Sequence, residues 1–199
     1  MAGRRFAAEV ALVAAAFLFG STFPLVHDAL RDVTPFGYLT LRFVVAVLAL
    51  GPFALHLARR PAADRRRLLR VGVIAGVLLF GGYATQTVGL RDTSPATSAF
   101  LTGLYVLFVP FVEAAWLRRP PPLRIVVSAL AALVGLFLLT GADLALGRGE
   151  WLTVACAVLF AIWIVYQGAH VGRVDPVPFT AMQMATLVVI SVPVTAATG

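Results

Sequence analysis

Polar side chains recur at helical spacing inside runs that are otherwise apolar, and they set the chemistry open to this sequence. Tyr83, Gln86 and Thr87 stand at i, i+3 and i+4, so a helix carries them on one face. Thr97, Leu101, Tyr105 and Phe108 follow a similar spacing, and Trp163, Gln167 and Gln183 add an indole and two amides further on. Hydroxyls, amides and glycines in such runs suit a wall lining a polar pathway through a membrane. They also suit plain helix-to-helix hydrogen bonding, since Ser, Thr and Gln often join neighbouring spans. Both readings stand at this point.

Two charges fall inside apolar runs. Arg42 lies six residues into its run, about 9 Å below the membrane surface at about 1.5 Å per residue. It reads either as a side chain snorkelling to the outer interface or as a cavity-facing cation that attracts anionic groups. Glu113 lies four residues from the end of its run, about 6 Å deep. It reads as a carboxylate snorkelling toward Arg118 or Arg119, or as a proton-coupling group. Arg42 and Glu113 belong to opposite leaflets of a core about 30 Å thick, so they are not expected to pair. Gly72 and Gly76 form a Gly-x-x-x-Gly pair, which permits close helix approach, within the bundle or in a dimer.

Signatures of catalysis are missing: there is no His-Glu-x-x-His, Gly-x-Ser-x-Gly or Walker-type loop. His27, His56 and His170 fall near the ends of different segments, two on one side and one on the other, which does not suit a shared metal site. A single Cys156 within an apolar run excludes an internal disulfide and a cysteine metal cluster. No cofactor is implied, and the reading is not an enzyme.

The elements that must position these groups follow from composition. Sixty per cent of residues are hydrophobic, 13% are charged, and the mean hydropathy is +0.93. Soluble domains carry about 25% charged residues, so a soluble globular class is excluded. Seven apolar segments, about 7–27, 36–57, 70–90, 96–117, 123–142, 150–170 and 177–197, each approach the length of roughly 20 residues that a spanning helix needs. Backbone groups in hydrocarbon must bond internally, and no strand-like alternation is present, so the expected fold is an all-α polytopic bundle. The first segment is read as an uncleaved helix rather than a removed signal. Pro24, Pro52 and Pro110 should bend their helices.

The net charge of +7 comes from arginines in short loops, which argues for a membrane surface and against nucleic acid as a partner. With the N-terminus inside, the inner segments hold Arg4, Arg5, Arg59, Arg60, Arg65, Arg66, Arg67, Arg70, Arg118, Arg119, Arg124 and Arg173. The outer loops hold only Arg31, Arg91 and Arg148. That asymmetry predicts a cytoplasmic N-terminus in the inner membrane.

An internal repeat is expected. Leu18-Phe19-Gly20 aligns with Leu159-Phe160-Ala161, and Pro35-Phe36 aligns with Pro178-Phe179, at nearly equal offsets. A five-helix repeat over 1–142 would be followed by the start of a second copy over 150–199, inserted upside down because the number of helices is odd. Two such copies need nearly 300 residues, so either the sequence is a fragment of a ten-helix protein, the favoured reading, or the repeat is a coincidence.

Two stretches resemble the EamA-like family of the drug/metabolite transporter superfamily. One is Phe19-Gly20-Ser21-Thr22-Phe23-Pro24, similar to the family's Trp-Gly-Ser-x-Phe. The other runs from Gln86-Thr87-Val88-Gly89-Leu90 through Thr93-Ser94-Pro95 to Phe100-Leu101-Thr102-Gly103-Leu104-Tyr105 and Pro110. Leu41-Arg42-Phe43 fits the family's second helix. The resemblance implies two inverted five-helix repeats around a central cavity, with helices 1, 3, 4 and 6 lining the path. It therefore brings Ser21 and Thr22 beside Arg42, Tyr83, Gln86, Thr87, Thr97, Tyr105, Trp163 and Gln183 as candidate pathway residues. The chain departs from the family where Leu117-Arg118-Arg119-Pro120 replaces a Glu after the fourth helix, and in carrying Glu113 within that helix. The implied activity is export of small organic solutes (metabolites, amino acids or drugs) by alternating access. The alternative is a non-transporting fragment or subunit that works only when paired with another chain. Implied partners are the bilayer, a small-molecule substrate, and either a second copy or the missing C-terminal half.

Overall fold

The computed structural model describes residues 2–54, 62–140, 147–170, 172 and 174–198, and throughout these the regular structure is helical. The helices are α1 (Ala2–Ala29), α2 (Pro35–Ala54), α3 (Ala62–Gly89), α4 (Pro95–Gly103), α5 (Tyr105–Leu117), α6 (Leu123–Thr140), α7 (Arg148–His170) and α8 (Pro176–Thr198). Five spans are long and apolar enough to cross a membrane: Ala8–Ala29, Arg65–Gly89, Pro95–Leu117, Arg148–His170 and Pro176–Thr198. Pro35–Gly51 in α2 and Leu123–Leu138 in α6 are shorter apolar helices. The chain is a polytopic membrane bundle. His56, Arg59, Arg60 and Arg173 lie outside the described residues, as do the side chains of Arg4, Arg5 and Pro52.

The expected single helix over 96–117 is in fact two, α4 and α5, meeting at Leu104. The Leu104 amide bonds back to Leu101 O, and the Leu107 amide to Leu104 O, so the ladder tightens to i→i+3 for a turn. Gly103 sits against Leu136 of α6 at this point. Pro110 lies inside α5, and the break falls six residues before it. The start of α4 follows from local chemistry: Pro95 takes the first turn, where no amide is required, and Ser94 caps the helix by accepting from the Thr97 amide at 3.1 Å. The α5 end turns through Arg118, whose φ of 53° is left-handed. The chain then enters Pro120-Pro121-Pro122.

Helix α3 is the axis of the bundle, packed on α7 along one side and α8 along another. Glycines make this possible. A Cβ on Gly72 would lie 2.6 Å from Met182 Cγ, and one on Gly76 would lie 2.6 Å from Thr186 Cβ. The Gly72/Gly76 pair is thus consumed by packing of α3 on α8 within the bundle. Both positions advance together, so α3 and α8 run parallel. Gly82 meets Phe160 and Gly89 meets Gly149, so α3 and α7 run antiparallel. On the other face of α8 lies α2, tied to it where the Thr40 and Thr195 hydroxyls meet at 2.8 Å. The core between these helices is Leu39, Phe43, Leu79, Cys156, Phe160 and Leu187. A second cluster of Leu68, Val71, Ala75, Tyr166 and Phe179 lies toward the opposite end. Helix α6 packs on α4 and α5, and α1 touches the rest mainly through α4.

Burial of Cys156 gives a direct check on sidedness. It is the protein's single thiol and wholly buried, so a membrane-impermeant maleimide should leave the native protein unlabelled. With that background, Arg91→Cys is expected to label from outside intact cells. Arg119→Cys is expected to label only after permeabilisation. The reverse pattern would invert the orientation drawn from the arginines.

Candidate functional site

A column of polar and aromatic side chains runs through the bundle from α2 to α8. At one end, the Arg42 guanidinium lies over the Tyr83 ring, 4.9 Å from its centroid, and 5.7 Å from that of Phe43. Arg42 is seven residues into α2 and Tyr83 six residues from the end of α3, so the two meet at one depth. The side chain crosses to the neighbouring helix rather than extending to the interface. Tyr83 is itself held between Phe43 and Phe160, at ring distances of 5.2 and 5.3 Å. Phe160 leads to Trp163, one turn further along α7, at 6.2 Å.

At the other end, Trp163 Nε1 donates to Gln183 Oε1 at 2.7 Å, and Gln183 Nε2 donates to Gln167 Oε1 at 3.3 Å. Gln183 is 1% exposed. An amide this deep in an apolar bundle must be bonded on both its faces, and it is. The column thus links a cation near one end of the bundle to an amide pair near the other through T-shaped and tilted ring contacts.

A side branch leaves the column at α3. Gln86 Nε2 donates to Thr102 Oγ1 at 3.0 Å between buried side chains. Thr102 also meets the Cys156 thiol. One turn earlier on α4, Ser98 is wholly buried, its hydroxyl unpartnered among the described residues. Thr102 also lines a cavity of about 360 Å³ between α1, α4, α5 and α6, together with Phe19, Phe23, Gly103, Tyr105 and Leu136. Thr102→Val should therefore cost about 1 kcal/mol by leaving Gln86 Nε2 unpaired, read from the detergent-unfolding midpoint.

The structure brings together Arg42, Tyr83, Trp163 and Gln183 in the column, and Gln86 in its branch. Thr87 is buried on α3 beside Gln86. Tyr105 packs at the edge of the central cluster and on the cavity. Thr97 is held by the α4 cap, its hydroxyl accepting from Ser94 Oγ at 2.9 Å. Ser21 and Thr22 are half-buried on α1 and bond to their own helix, at Leu18 O (2.9 Å) and Phe19 O (2.6 Å). Glu113 stands apart from the column. It is exposed on α5, in a groove of about 420 Å³ shared with Val109, Trp116, Ile164 and Gly168, and forms no ion pair among the described residues. Thr102, Phe160, Phe43 and Cys156 escaped the spacing argument. Thr102 is five residues from Thr97 and so falls off the face that Thr97, Leu101 and Tyr105 define, while the other three are ordinary apolar residues until α3 meets them.

An uncharacterized transporter of Archaeoglobus fulgidus is 29% identical to this chain over 190 residues, which cover 96% of the chain and 58% of that protein. The chain thus spans well under two thirds of that relative's length. No solved structure matches the sequence. The model of the EamA-like transporter family matches residues 6–141, which takes in α1 with Phe19-Gly20-Ser21, Arg42 of the column and the Gln86–Thr102 branch. On that match over most of its length, a multi-pass membrane chain with this buried polar column belongs to the EamA-like transporter family.

Proposed function

We propose that the protein is a secondary transporter of small organic solutes (metabolites, amino acids or drugs) in the inner membrane, that it works as an exporter by alternating access, and that its N-terminus is cytoplasmic. The observation that carries this reading is the column from Arg42 through Tyr83, Phe160 and Trp163 to Gln183 and Gln167, which crosses both halves of the bundle. Polar groups are costly in hydrocarbon and concentrate on pathways. Rings packed edge-to-face and tilted between two polar ends suit a closed gate, with each end exposed in turn as helices rock. The family match ends at residue 141, next to the proposed repeat boundary at 142, and this favours a first unit over 1–142 and a second beginning near α7. The resemblance to an uncharacterized transporter favours transport over catalysis.

A second reading, a subunit or portion that acts only with further helices against it, is favoured by α1. From Ala8 to Gly20 this helix is exposed all round, although it carries the small residues Ala14, Ala15, Ala16 and Gly20 that usually mark helix contacts.

Whole-cell efflux of a labelled amino-acid and metabolite panel separates the two. Cells expressing the protein should release at least one solute faster than vector controls, and Gln86→Leu should slow that release by at least about threefold. Release equal to the vector, with the protein correctly inserted, would favour the second reading.

A further inference from the structure

Arg42 carries a full charge against the ring of Tyr83 within the bundle, with no counter-charge among the described residues. Among the described residues its guanidinium has no carboxylate within ion-pairing distance, and the ion pairs present there join Asp28 to His27 and Arg31 at the end of α1. Glu113 lies near the end of α5, away from the Arg42 end of the bundle. Tyr83 and Phe43 supply ring faces to the guanidinium carbon, and among the described residues no hydrogen bond to its N–H groups is present. An arginine edge offers parallel donors that match the two oxygens of a carboxylate. The aromatic faces beside it form an apolar shelf, and Phe160 extends that shelf toward the middle of the bundle.

We propose that the solute carried is an organic anion, its carboxylate or equivalent group seated on the free edge of Arg42 and its apolar body against Tyr83. This rests on the transport reading above and adds the substrate's charge. The position of the cation explains why it is tolerated: unpaired, it costs insertion energy that Tyr83 only partly offsets, and an anionic cargo completes the site.

The test uses the full protein, purified and also reconstituted in phosphatidylcholine vesicles that contain no anionic lipid. The probes are labelled N-acetylphenylalanine, an anion at neutral pH, and its uncharged amide. Equilibrium binding should favour the anion by at least about tenfold. Arg42→Gln should erase that preference, and Arg42→Lys, which keeps the charge but not the paired donors, should keep a reduced preference. Arg42→Lys also serves as the folding control, since it retains the charge and the cation–ring contact. Equal binding of acid and amide, no binding of either, or an anion preference that survives in Arg42→Gln would overturn the proposal. Displacement of the anion by added phosphatidylglycerol at equal charge would assign the seat to a lipid headgroup and overturn it too. Counterflow in the same vesicles separates the two levels. Anion binding that depends on Arg42 but gives no counterflow would support the anion seat and overturn transport. Counterflow of the amide as fast as the acid would overturn the anion seat and leave transport standing.

Discussion

Gly76→Val should damage the seam between α3 and α8 severely, lowering stability by about 2–3 kcal/mol and reducing the folded yield in membranes. A Cβ at Gly76 would meet the Cβ of Thr186 at 2.6 Å, and that atom is the branched, stiff base of a side chain rather than its flexible end. Helices α3 and α8 would have to separate, and with them the seam that holds Trp163, Gln183 and Gln167. Gly72→Val should cost somewhat less, because Met182 can turn its Cγ away, although its Cβ would still be met at 2.8 Å. Gly20→Ala supplies the control: nothing lies within 4 Å of a Cβ there, so the gain in helix propensity should leave it neutral or stabilised by up to about 1 kcal/mol. Thermal and detergent-unfolding midpoints give the order directly. Equal effects at all three positions would mean that α3 and α8 do not pack as described.

Gln183→Leu should have the largest effect on function. The substitution keeps size and removes both hydrogen bonds of a side chain that is 1% exposed, orphaning Trp163 Nε1 and Gln167 Oε1. The stability cost should be about 1–2 kcal/mol, since each bond between membrane helices contributes modestly and unpaired groups add to the loss. Transport should fall at least about tenfold. Trp163→Phe keeps a ring against Phe160 and removes only one donor, so it should retain more activity than Gln183→Leu. A Gln183→Leu protein that transports at the native rate would make the amides helix glue with no place in the pathway.

What could be read without the structure depended on whether a single helix carried the information. Gln86 and Gln183 were legible because an amide in an apolar run has to turn inward, whatever its neighbours are. Most of the spans were legible for the same reason, because hydropathy is local, whereas the Ser94 cap and the Pro95 start of α4 were not singled out. Arg42 was only half legible. Its depth followed from counting residues, but its direction depends on Tyr83 standing opposite on α3, and no property of α2 reveals that. Thr102 and Phe160 acquire their roles from the register between helices, so periodicity within α4 or α7 could not single them out. The break at Leu104 was hidden because hydropathy is unchanged across it. Proline drew attention to Pro110, while the tightening occurs where Gly103 presses on Leu136.

The central claim is that this bundle moves a small organic solute along the Arg42-to-Gln167 column. Counterflow of a labelled metabolite panel into preloaded proteoliposomes tests it most directly, with the native protein and Gln183→Leu reconstituted at equal density and checked for equal insertion. The account predicts accumulation of at least one solute above protein-free vesicles, cut at least about tenfold in Gln183→Leu. No accumulation by the inserted native protein, or equal accumulation by both, would contradict it.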